Sequence, residues 1–79
     1  MTDDTCISLD HLSVNAKATV CRLRGGGGFT TRLASMGLTI GTLLEVLQND
    51  GRGPILVRVR HTRLALGRSE ASRVLVGGI

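Results

Sequence analysis

Asn49-Asp50-Gly51-Arg52-Gly53-Pro54-Ile55-Leu56-Val57-Arg58-Val59-Arg60 holds a turn and a strand in one run. Asp-Gly is among the strongest short-range hairpin signals. Beyond it, Ile55, Val57 and Val59 alternate with Leu56, Arg58 and Arg60. A strand over 55–60 therefore has one aliphatic face and one face ending in two guanidiniums. Working backwards, the other arm of the hairpin is 43–47, led in by Thr39-Ile40-Gly41. A first long strand is expected over 16–23, where Val20 and Leu23 break strict alternation as a bulge would. Working forwards, 62–66 and 74–76 complete the set. Glycines at 25–28, 37, 41, 51, 53, 67 and 77–78 separate these runs at spacings of about ten residues, which predicts a mainly β chain closed into a small barrel.

One segment has helical periodicity. Phe29, Leu33 and Met36 fall at i, i+4 and i+7 and line one face, so a short helix is expected over about 30–36, with Thr30 or Thr31 as N-cap. Gly37 suits the left-handed position after the helix, and Leu38 behind it can touch Leu33. A helical turn is expected near 69–72, with Ser69 capping and Glu70 at the positive end of the helix dipole.

Composition narrows the function. The chain has 79 residues and a formal charge of +4, which fits one domain over 1–79 with its core at about 6–78. A core this small can hardly spare the several hundred Å³ of a typical ligand site, which argues against an enzyme. The acidic start, Met1-Thr-Asp-Asp-Thr-Cys6, lacks the basic n-region and apolar stretch of a leader, and no apolar run approaches the roughly 20 residues of a spanning helix. The expected location is the cytoplasm, with membrane contact only through a partner. In that reducing compartment Cys6 and Cys21 are expected to remain thiols.

Gly25-Gly26-Gly27-Gly28 lacks the Lys-Ser/Thr of a phosphate loop and reads as a strand-to-helix loop. Cys6, His11, Cys21 and His61 have the ligand types of a transition-metal site, but their spacing of 5, 10 and 40 matches no zinc pattern. The expectation is no required cofactor, with a loosely held divalent metal as the weaker reading. Nine arginines and one lysine raise nucleic-acid binding, and Arg22, Arg24, Arg58 and Arg60 are candidates for a basic stripe, while Arg52, Arg63 and Arg68 read as solvated. Stacking aromatics are lacking, since the only aromatic residue is Phe29, which leaves phosphate contact without specificity.

Four blocks resemble the FeoA family of the bacterial ferrous iron transport system. Arg32-Leu33-Ala34-Ser35-Met36-Gly37-Leu38 is similar to its RLxxMGL element, and the run from Ile40-Gly41 to Val46-Leu47 to its PGxxxxVL stretch, with Ile40 where proline is common. Gly53-Pro54-Ile55-Leu56-Val57 and the closing Leu64-Ala65-Leu66-Gly67-Arg68-Ser69-Glu70-Ala71, then Val74-Leu75-Val76, match the remaining blocks. Asn15 stands where glycine is usual, and Asn tolerates a left-handed backbone better than most residues. The resemblance implies an SH3-like barrel in its stand-alone form. It also implies a non-enzymatic role beside FeoB, the permease with a cytosolic GTP-binding domain, whose Fe(II) uptake it would modulate. Arg32, Met36, Gly37, Leu38, Arg58 and Arg60 are the candidate partner-binding residues. A transition-metal-binding module and a basic nucleic-acid binder are the alternatives.

Overall fold

The computed structural model describes residues 6–77; the parts of the expected domain at 1–5 and 78–79 lie outside the described residues. Five strands form where the sequence pattern expects them, and a sixth, the two-residue first strand, is one that pattern does not show. These are β1 (Ile7–Ser8), β2 (Lys17–Leu23), β3 (Leu43–Gln48), β4 (Ile55–Val59), β5 (Thr62–Leu66) and β6 (Val74–Gly77). They form one antiparallel sheet in the order β1-β6-β2-β3-β4-β5, curled into a small barrel-like shape without closing.

The inward set from β2 to β6, including Val20, Leu44, Val46, Ile55, Val57, Leu66, Val74 and Val76, is buried with Leu9, Leu33 and Leu38. The bulge expected in the first long strand falls between Val20 and Arg22, and a second lies between Val46 and Gln48. Asn15 takes φ 77, the left-handed conformation that suits the glycine it replaces.

The short helix is α1 (Gly27–Ser35), which begins earlier than 30 because Gly26, extended at φ −76 and ψ 177, is the N-cap. The Thr30 hydroxyl donates back to the Gly26 carbonyl instead of capping. The helix exit is as read: Gly37 sits at φ 89, its N–H donates to the Ala34 carbonyl, and the Leu38 N–H reaches back to the Leu33 carbonyl. The second turn, α2 (Arg68–Ala71), is capped from Gly67 and not from Ser69, since the Glu70 carboxylate accepts the Gly67 N–H at 3.1 Å.

Two further expectations are overturned. Cys6 and Cys21 are joined in a disulfide, because β6 lies between β1 and β2 and has only Gly77 beneath the two sulfurs. Spacing along the chain does not reveal that proximity. Arg68 is not a solvated cation: it donates to the Asn49 side-chain carbonyl at 3.1 Å and to the Gly53 and Asp10 backbone carbonyls at 3.4 Å each. Asn49 in turn donates to the Asp10 and Leu12 carbonyls, so the β3–β4 hairpin is tied to the N-terminal 3₁₀ turn at Leu9–His11.

Candidate docking surface

Strand register decides which charges are neighbours. Lys17 lies opposite Glu45, Glu45 opposite Arg58, and Arg58 opposite Arg63, making one row across four strands on the outer face of the sheet. Glu45 faces Arg58 at 3.5 Å in an exposed pair, leaving the row with excess positive charge. Arg22 is paired instead with Leu75 on β6, five residues along β2 from Lys17. At about 3.3 Å per residue that is roughly 17 Å, so the expected stripe of Arg22, Arg24, Arg58 and Arg60 is not continuous. Arg63, expected as a solvated cation, is exposed and extends the row.

Beside this row stands the corner that leads into β3. Gly41 at φ 94 turns the chain, and Thr42, buried, accepts from the Thr39 N–H at 3.2 Å while its hydroxyl donates to the Gly37 carbonyl at 3.3 Å. With its polar residue satisfied inward, the corner presents Ile40 and Leu43 outward, 66% and 55% exposed. Two open hollows of about 370 and 240 Å³ meet here and share Leu43 and Arg60 in their walls. Lys17, Glu45 and Arg58 line the smaller one.

Arg60, expected as the last residue of its strand, lies instead in the two-residue connection between β4 and β5, at φ 59, because β4 ends at Val59. A left-handed backbone costs a non-glycine residue roughly 1–2 kcal/mol. A two-residue hairpin connection calls for a positive φ of this kind, so the turn sets the backbone while the side chain stands at the rim of both hollows. Chemically, the surface offers two aliphatic side chains with Arg60 beside both and with Lys17, Arg58 and the Glu45 carboxylate on the Leu43 side, a net positive border suited to an apolar segment that carries carboxylates.

The other candidate residues fall elsewhere. Leu38 is 0% exposed and belongs to the core, because the Schellman exit turns it inward; it offers no surface to a partner. Met36 packs half-buried against that core, and Gly37 serves the turn. Arg32 hydrogen-bonds Glu70, linking α1 to α2. That contact, with the Gly67 N–H next, holds the Glu70 carboxyl below its ordinary value of 4.5. Of the candidate metal ligands, Cys6 and Cys21 are consumed by their bridge, His11 meets the Ser8 hydroxyl at 3.2 Å, and His61 sits in the β4–β5 turn. Among the described residues no three His, Cys, Asp or Glu side chains converge as a metal site. Phe29 has the Arg73 guanidinium 4.4 Å from its ring centre, so that face is covered.

Ile40 and Leu43 are absent from the candidates drawn from sequence. A signal existed: the alternation Leu43, Glu45, Leu47 against Leu44 and Val46 puts Leu43 on the charged face.

Curled antiparallel sheet, short helix between β2 and β3, and an aliphatic patch with a net positive border together define a small SH3-like barrel domain. Residues 7–77 match the FeoA domain family. A crystal structure of an iron uptake regulatory protein, FeoA, superposes with a TM-score of 0.86 at 35% identity, covering 91% of this chain and 96% of that one. The Stenotrophomonas maltophilia FeoA, crystallised with zinc and described as a prokaryotic SH3 domain protein, gives 0.77 at 31% identity over 89% and 88%. An Fe(2+) transport protein A assigned in Methanocaldococcus jannaschii is 35% identical over 57 residues, 72% of this chain and 68% of its own. The chain belongs to the FeoA family, which is involved in ferrous iron transport. No helix among the described residues is long and apolar enough to cross a membrane.

Proposed function

We propose that this chain is a non-enzymatic, cytoplasmic accessory protein that docks on the FeoB permease and modulates its GTP-dependent uptake of Fe(II). Family membership supplies the transport context. The observation that carries the docking role is the pair of exposed side chains, Ile40 and Leu43, beside Lys17, Arg58 and Arg60. Exposed apolar groups within a charged rim are the usual anatomy of an interaction site. Cations around such a patch steer encounter and set salt dependence more than final affinity. The reading assigns no chemistry to the chain and no resident metal.

Capture of full-length permease and of its isolated GTP-binding domain tests it. Wild type is expected to retain at least one of them, and Leu43→Ser to release it while keeping a wild-type melt. Equal capture by wild type and Leu43→Ser overturns this placement of the surface.

A further inference from the structure

The Cys6–Cys21 bridge joins the segment leading into β1 to β2 across the strand between them. A Cβ at Gly77 on β6 would lie 3.1 Å from the Cys21 Sγ and 3.7 Å from the Cys6 Sγ. The bridge therefore passes directly over this residue, and glycine leaves the room. Cys21 is the bulged residue of β2, between Val20 opposite Val76 and Arg22 opposite Leu75. A bulge re-aims a side chain and leaves its backbone weakly paired, so the covalent link replaces the ladder bonds missing there. On the other side, β1 has only two paired residues.

One residue from Cys21, the Val20 N–H donates to the Thr42 carbonyl at 2.9 Å, and the Gly41 N–H donates to the Val20 carbonyl at 2.8 Å. These two bonds hold the corner that presents Ile40 and Leu43. The bridge thus braces the strand from which the corner hangs. Both cysteines are half-buried, not sealed in the core.

We propose that Cys6 and Cys21 form a reversible dithiol–disulfide switch whose state sets how firmly the Ile40–Leu43 corner is held. Disulfides in the cytosol are mostly transient, catalytic or redox-sensing, so a bridge in a cytoplasmic chain fits a switch better than a permanent staple. That the bridge is reversible rests on the cytoplasmic location proposed above, and the consequence for docking rests on the docking role; the coupling between bridge and corner rests on neither.

The step balances as thiol–disulfide exchange with a dithiol reductant. One reductant thiolate attacks a bridge sulfur, forming a mixed disulfide and releasing the other cysteine as a thiolate. The second reductant thiolate resolves the mixed disulfide, leaving the reductant as an internal disulfide. Two electrons reach the protein, and the two protons from the reductant's thiols end on Cys6 and Cys21.

Dithiothreitol is the probe, alkylation with intact mass reads the thiols, and amide hydrogen exchange reads the corner. Before reduction no thiol should be alkylated; afterwards two should be, in a chain that remains folded. Exchange at the Val20 and Gly41 amides should then accelerate by about tenfold or more, as for local opening. The Val57 and Leu64 amides should hold their rates, and reoxidation should restore slow exchange. A Cys6→Ser/Cys21→Ser variant should match the reduced form under both conditions. Alkylation of both thiols without reductant, a uniform acceleration across the chain, or unchanged exchange at Val20 and Gly41 would each overturn the proposal. Loss of partner capture with the redox response intact would count against the docking reading and leave the switch standing.

Discussion

Arg32 on α1 and Glu70 on α2, 38 residues apart in sequence, hydrogen-bond through their side chains, and Glu70 also accepts the N–H of Gly67 at 3.1 Å. The pair thus joins the helix that follows β2 to the turn that precedes β6. Because the Glu70 pKa is lowered on folding, by Arg32 first and the Gly67 N–H second, its contribution is fully present above about pH 4.5 and is lost as pH falls through the folded value. Arg32→Gln should cost less than about 1 kcal/mol at neutral pH and low salt, as exposed pairs do. It should also flatten the acid limb of the stability curve below pH 4.5. Thermal melts from neutral to acid pH check both; an unchanged acid limb would show that Gly67 alone holds the carboxylate.

Gly37 tests the helix exit. At φ 89 a side chain is strained whatever the space, and the nearest group to an added Cβ is the Val59 Cγ1 at 3.9 Å. Gly37→Ala should therefore cost on the order of 1 kcal/mol from backbone alone. Gly37→Val adds bulk against Val59 and should lose more, with Leu38 shifted in its core position. Urea titration of both variants measures the difference. Equal stability of wild type and Gly37→Ala would mean that the turn relaxes to another conformation.

Strands and helix exit were legible because their signals are local. The alternation of Ile55 to Arg60, the Asp50-Gly51 turn and the Gly37-Leu38 ending each depend on residues a few positions apart. The start of α1 was misplaced because glycine is a poor helix former, yet Gly27 and Gly28 sit in a first turn fixed by the Gly26 cap. The site was harder to read. Which arginines share a row depends on register, and that brought Lys17 and Arg63 beside Arg58 while leaving Arg22 against β6. The disulfide was invisible for the same reason: Cys6 and Cys21 meet only because a third strand, distant in sequence, passes between theirs.

Asn49 is the centre of a polar network between the β3–β4 hairpin and the 3₁₀ turn. Its amide donates to the Asp10 and Leu12 carbonyls at 3.1 and 2.7 Å, and its carbonyl accepts from Gly51 N–H and Arg68. Asn49→Ala leaves the two carbonyls and the guanidinium without that partner, so a loss of about 2 kcal/mol is expected. Asn49→Asp keeps the acceptor for Arg68 but removes both donations, and should fall between wild type and Asn49→Ala. Chemical denaturation checks the order of the three.

Metal removal should leave folding unchanged. The two cysteine sulfurs are bonded to each other, and the two imidazoles lie in separate turns. A structural zinc would contribute folding energy outright, so a melt lowered by many degrees in a strong chelator would reveal ligands brought together in some other way. Coincident melts with and without chelator are the expected result.

Arg60 separates stability from docking most directly. Its left-handed backbone costs about 1–2 kcal/mol for a residue with a side chain. Glycine removes that strain and returns about 0.5–1 kcal/mol through the greater freedom of its unfolded chain. Arg60→Gly should therefore melt at or slightly above the wild-type temperature. Both hollows lose a cationic wall in the same variant, so capture of the permease should weaken and its dependence on salt should become shallower. Arg60→Lys keeps the charge and the strain, and should retain much of the capture without the gain in stability. A more stable Arg60→Gly protein that still binds the permease at wild-type strength and salt dependence would show that the guanidinium plays no part in docking. The surface would then narrow to Ile40, Leu43 and the row through Lys17 and Arg58.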